Sequence, residues 1–167
     1  MVIRKKALPR LTLQDLEGIS KYRLGFTGKS TELTAWDQTR ILACLLALAR
    51  RWPHAVWITG GCVGADAFVA MVGHAAGFHV HTVLPAYMDK VDPDWEDHCS
   101  SYTQMKTDPN LSRSANYMLR NDELVRRSTH MGAAFPEGPE EQRSGTWSTI
   151  RRFRKAGMPT KRIIILN

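Results

Sequence analysis

No apolar run in this sequence is long enough to cross a bilayer. The longest, Ile41 to Ala49, reads as an ordinary helix segment and falls far short of the roughly 20 residues a span requires. Cysteine is scarce. Cys44, Cys62 and Cys99 are odd in number, far apart and without a CxxC pair, which argues against a disulfide framework or a zinc knuckle and suits reduced thiols. No apolar signal core follows the basic start of the chain, so the expected location is the cytoplasm, with no membrane partner. Acid is missing from one region altogether: residues 143–167 hold seven Lys/Arg and no Asp or Glu.

What is present describes a folded domain. The 167 residues are 43% hydrophobic and 23% charged, enough apolar material for a real core. The formal net charge of +7 is uneven. Residues 1–24 carry six basic against two acidic groups, and residues 25–142 ten against fourteen. The surplus therefore lies at the ends. Basic ends can meet nucleic acid, but solvated termini are the commoner cause, which makes nucleic acid the less favoured partner.

Residues 1–20 lack a clear period and read as a basic N-terminal arm with a short helix over Leu13–Ile19. Residues 21–167 read as one domain in which strands and helices alternate. Strands are expected at Tyr22–Phe26, Ala55–Thr59, His79–Leu84, His130–Phe135 and Arg162–Leu166. Helices are expected at Ala35–Trp52, Gly64–Ala76, Arg113–Arg127 and Thr146–Ala156. Thr34 with Asp37 forms a capping box for the first of these, and Gly77 suits a helix C-terminus. Residues 86–112 form a long polar connection, expected to be a functional flap or mobile loop. The order predicts an α/β fold: a Rossmann-like, doubly wound parallel sheet of about five strands with helices on both faces. The first strand is expected to be central, in the order 3-2-1-4-5. Ligands of such sheets bind beyond the carboxyl ends of the strands, where every Gly-rich turn of this sequence falls.

Three turns carry the functional signal. The first, Gly25 to Ser30, resembles a P-loop through Gly28-Lys29-Ser30, but Arg23 stands where the required first glycine belongs. What remains is a small-residue turn with backbone N–H groups and the Thr27 hydroxyl. The second, Thr59-Gly60-Gly61-Cys62-Val63-Gly64-Ala65-Asp66, places glycines where backbone can approach a ligand and opens a helix whose N-terminus favours an anion. Close strand–helix packing, with Asp66 stabilising the first turn, explains it equally well. The third, Arg143 to Thr149, offers Ser144, Thr146 and Thr149 hydroxyls around Gly145; alone it could be a serine cap. Two anion-ready turns in one small domain favour a shared phosphate site. Arg120-Asn121 adds an arginine able to clamp a phosphate.

Other clusters weigh less. Asp89, Asp92, Asp94, Glu96, Asp97, His98 and Cys99 crowd the long connection without the spacing of a metal site. His79 and His81 share a strand face and suit buried or edge positions. Neither a metal nor a bound cofactor is expected.

GxTG at Gly25–Gly28, TGGxxGAD at Thr59–Asp66, LPA at Leu84–Ala86, RN at Arg120-Asn121 and SGTxxT at Ser144–Thr149 follow one another in an order that resembles the SLOG superfamily, over Tyr22 to Leu166. The resemblance is to small bacterial or phage members. It implies nucleotide recognition, with Gly60, Gly61, Gly64, Gly145 and Thr146 around a phosphate and Arg120 as clamp. Thr27, Gly28 and Asn121 would line the sugar or base side, and Asp66, Ser144 and Thr149 complete the ligand-binding set. LOG-type phosphoribohydrolases of this superfamily need a Glu where this chain has Thr149, and a threonine cannot serve as that carboxylate. No catalytic residue is assigned. The expected function is binding of a nucleotide or nucleotide-derived phosphate ligand by a sensor, carrier or sequestering protein. The alternatives are N-glycosidic-bond hydrolysis and, by likeness to the DNA-processing protein of natural transformation, single-stranded nucleic-acid binding. A homodimer is compatible with the sequence but not demanded by it.

Overall fold

The computed structural model describes residues 7–166; the first six residues of the expected arm and Asn167 lie outside them. Thr12 caps helix α1 (Leu13–Ile19), its hydroxyl accepting from the Asp15 N–H while the Asp15 carboxylate accepts from the Thr12 N–H. This reciprocal box satisfies two of the donors that a helix start leaves unpaired. The Thr34–Asp37 box does the same for α2 (Ala35–Arg51). Serine hydroxyls cap α4 (Arg113–Arg127) and α5 (Gly145–Lys155). Helix α3 (Ala65–Ala75) starts instead from Gly64 at φ +87°.

Among the described residues five strands form one parallel sheet: β1 (Arg23–Gly28), β2 (Val56–Thr59), β3 (Val80–Leu84), β4 (Ser101–Gln104) and β5 (His130–Phe135). Their order is β4-β3-β2-β1-β5, every pair parallel. Alternating side chains feed two cores. Leu24, Phe26 and Trp57 meet Ile41, Leu45 and Leu48 of α2 and Val69 of α3 on one face. Val56, Ile58 and Met131 meet Leu124, Trp147, Ile150 and Phe153 on the other, with Leu16 of α1. Burying both faces is what a parallel sheet needs.

Three expectations require correction. Residues 86–112 are not structureless, since they contain a 3-10 turn (Trp95–His98) and the edge strand β4. Arg162–Leu166 is not a full strand: it lies beside β5 and makes only isolated bridges, Ala134 with Ile163 and Glu137 with Leu166. Pro136 interrupts that ladder because it has no N–H to give. The expected order holds for β3, β2, β1 and β5, but β4 adds at the β3 edge, so β2 and not β1 is the central strand. The chain reverses direction across the sheet between β1 and β5. Crevices in such sheets open beyond strand ends at that reversal.

Candidate ligand site

A cavity of about 470 Å³ opens there, within the usual range for small-molecule sites. Four segments converge on it, joined by Lys90: the turn after β1, the turn after β2, the inward face of α4, and the loop leading into α5.

Thr27, Gly28 and Lys29 enter from β1. Lys29 is a structural knot. Its N–H donates to the Phe135 carbonyl at 2.9 Å, its carbonyl accepts from the Ala65 N–H at 3.0 Å, and its ammonium meets the buried Asp37 carboxylate at 3.1 Å. Lys29 thus binds the first turn of α2, unlike a P-loop lysine, in agreement with the failure of that motif.

The turn after β2 sends Cys62 and Asp66 to the cavity, whereas Gly60, Gly61 and Gly64 are absent from its lining. Those glycines answer to packing. A side chain on Gly60 would collide with the Arg120 guanidinium, and one on Gly64 would press on the Lys29 and Thr31 carbonyls. The start of α3 is also partly occupied, because Lys29 takes the Ala65 N–H. The structure therefore separates the two parts of the expected phosphate cradle.

Arg120 is 9% exposed, far from the surface residue that pairing with Asp122 or Glu123 would make it. Its Nη1 donates to the Gly60 carbonyl in a short bond and its Nε to Asn121 Oδ1 at 2.9 Å. Both terminal nitrogens lie 3.6 Å from Cys62 Sγ. Asp66 accepts from the Cys62 N–H at 3.3 Å. Burial pushes its carboxyl up to about 6, against the pull of Arg120 and of the Cys62 and Gly60 N–H groups. The Cys62 thiol is also raised, chiefly by burial, with Arg120 opposing. Burial works against the Arg120 charge, but Cys62 and Asp66 outweigh it and hold its pKa above the usual value. The floor of the cavity is thus a buried cation beside a carboxyl that ionises only near neutrality.

Ser144, Gly145, Thr146 and Thr149 line the opposite side. Ser144 Oγ accepts the Trp147 N–H at 3.2 Å, and Gly145 and Thr146 supply the remaining N–H groups of the first turn, which have no intrahelical acceptor. Thr149 donates to the Gly145 carbonyl at 3.0 Å. A Cβ on Gly145 would meet no atom within 4 Å.

Nine of the twelve expected site residues therefore line one cavity: Thr27, Gly28, Asp66, Arg120, Asn121, Ser144, Gly145, Thr146 and Thr149. Sequence reasoning missed Ser114, Tyr117 and Met118, although they share with Asn121 the i, i+3, i+4, i+7 spacing of one helix face. It also missed Lys90, Glu137 and Glu141, which loops bring in and no short motif announces, and gave no role to Arg143 at the head of the third turn.

No protein-family model matches the chain, and no curated protein matches it by sequence. Solved structures do resemble it. The DNA processing protein A of Helicobacter pylori, whose structure concerns its single-stranded DNA binding mode, superposes with a TM-score of 0.61 at 16% identity. That match covers 96% of this chain and 70% of that one. The molybdenum cofactor binding protein of Rippkaea orientalis gives 0.54 at 19% identity, over 89% and 78% of the two chains. The chain shares the overall fold of these two structures. At such identities the likeness concerns the fold, so the ligand of this domain has to be argued from its own cavity.

Proposed function

We propose that the cavity binds a phosphate-bearing, nucleotide-derived small molecule, seated with its phosphate against the first turn of α5 and within reach of Arg120. The observation that carries this reading is the convergence of that helix start with buried Arg120 on one cavity. Unpaired N–H groups and the helix dipole favour an anion, and a shielded guanidinium adds a charge-assisted bond. Thr27, Gly28 and Asn121 face the remainder of the ligand. The packing roles of Gly60, Gly61 and Gly64 move the proposed cradle to Gly145 and Thr146.

The domain acts by binding, as a sensor, carrier or sequestering protein. Thr149 is bonded to its own helix and cannot ionise as a carboxylate, which supports the absence of phosphoribohydrolase chemistry at that position. Native mass spectrometry of freshly purified protein should reveal a co-purified phosphate-bearing ligand. Incubation with AMP, CMP, GMP and UMP should release no free base by chromatography; turnover near ~1 per second would restore the enzyme reading, with Asp66, Glu137 or Glu141 as the carboxylate. Gly145→Val should fold normally, since its side chain meets only open space, and should lose AMP binding by calorimetry. Unchanged AMP affinity in that variant would mean that the start of α5 is only a cap.

A further inference from the structure

We propose that the α4 wall of the same cavity is an aromatic-base subsite built on Tyr117, so that the ligand is a nucleotide and not a sugar phosphate alone. This rests on the phosphate reading above. The bulkiest apolar side chains in a mainly polar lining are Tyr117 and Met118, adjacent on α4. Both are half-buried.

The orientation of Tyr117 is held from outside the cavity. Its hydroxyl donates to Asp89 Oδ1 at 2.7 Å, with the Tyr87 carbonyl at 3.3 Å. Arg113 braces this clasp, donating to Asp89 Oδ1 at 2.6 Å and lying 4.2 Å from the centroid of the Tyr87 ring. The Tyr87 ring stands 6.3 Å from that of Tyr117. The hydroxyl proton is committed to this clasp, while Tyr117 lines the cavity. A side chain already fixed loses little rotamer freedom when something stacks on it.

Lys90 reaches over this ring, its ammonium 5.5 Å from the centroid, and lines the same cavity, so a stacked base shares the ring with it. A heterocycle on Tyr117 would therefore have a donor next to it for a carbonyl or ring nitrogen on its edge. A sugar phosphate could reach the Lys90 ammonium but has no π-face to stack on the ring. Stacking tolerates any base because each has a π-face, so the wall separates nucleotides from sugar phosphates more than one base from another.

Calorimetric titration of the full chain with AMP, GMP, CMP and UMP, and with ribose 5-phosphate, tests the subsite. The wild type should bind the nucleotides roughly 5- to 150-fold more tightly than ribose 5-phosphate. Tyr117→Ala should abolish that advantage and leave ribose 5-phosphate affinity unchanged. Tyr117→Leu, which keeps apolar bulk without a π-face, should behave like Tyr117→Ala and covers the case in which alanine unfolds the domain. Tyr117→Phe should keep the advantage. A wild type that binds ribose 5-phosphate as tightly as the nucleotides, or an advantage that survives in Tyr117→Leu, overturns the base subsite and leaves the phosphate reading standing. If neither probe class binds the wild type, the phosphate reading falls and takes the subsite with it.

Discussion

Asp66 and His81 are both buried, and burial displaces their ionisation in opposite directions. Asp66 is held up to about 6 from an ordinary 3.8. His81 is pushed down to about 3 from 6.5, first by burial and then by the charges of Arg127 and His79, with Glu123 opposing. A carboxyl raised on folding contributes stability that is complete below pH 4 and is lost as pH rises through 6. An imidazole lowered on folding contributes stability that is present above 6.5 and is lost as pH falls towards 3. Between pH 4 and 6 the two effects oppose each other, each with a limiting slope of about 1.4 kcal/mol per pH unit. Urea unfolding at several pH values should therefore separate them. Relative to the wild type, Asp66→Asn should gain stability as pH rises from 4 to 6, and His81→Gln should gain it as pH falls over the same window. Parallel pH profiles for all three proteins would show that neither group titrates as its burial implies. Some site residues were legible one at a time and others were not. Thr27, Ser144 and Thr146 stand at strand-to-helix turns, where small and hydroxylated residues have few other reasons to gather. Tyr117 depends on a helix face, marked only by its spacing from Asn121, and Lys90 on a folded-back loop that no local pattern marks.

Among the elements, α2, α4 and α5 were legible because caps and apolar spacing agree on them, and β1, β2, β3 and β5 because short apolar runs end in glycine or proline. Strand β4 gave no such signal. Its sequence, SYTQ, is polar, and it holds its place through side-chain hydrogen bonds: Ser101 Oγ lies 2.7 Å from both His79 Nε2 and His81 Nδ1, and Thr103 donates to the Leu11 carbonyl at 3.0 Å. Hydrophobic periodicity cannot report a strand stabilised in that way. The same network ties down the described part of the N-terminal segment. Arg127, 5% exposed, donates to the Leu11 carbonyl at 2.7 Å and to Glu123 at 2.7 Å. Replacing it leaves the Glu123 carboxylate with Arg126 alone as its cation and the Leu11 carbonyl with Thr103 alone as its donor, a loss on the order of 1–3 kcal/mol. Arg127→Met, which retains packing, should make the amides of residues 11–20 exchange with deuterium well before those of β1. Equal protection of both regions would show that Leu16 packing alone holds α1 in place.

At the scale of the whole molecule, the basic surplus of the C-terminal region is less available than composition suggests. On α5, Arg151 and Arg154 both reach Glu140, and Arg152 pairs with Asp122 at 2.5 Å. Oligonucleotide binding by this surface should therefore be weak, should fall steeply between 50 and 200 mM salt, and should be unaffected by Gly145→Val. Salt-resistant binding displaced by AMP would instead favour the single-strand reading. The sheet has a further consequence, for mechanics. Residues 9–11 run parallel to β4, with the Leu11 N–H donating to the Tyr102 carbonyl and the Tyr102 N–H to that of Pro9. Residues 163–166 bridge to the far side of β5. The two ends of the described chain therefore close opposite margins of the sheet, six inter-strand steps or about 29 Å apart at the usual spacing. Tension applied between them would act across the strands. Hydrogen bonds would then break one after another, as in a zipper, where a pull along the strands would load them all together. Held by its ends in a force spectrometer, the domain should yield at low force and shed its marginal segments before β1 gives way.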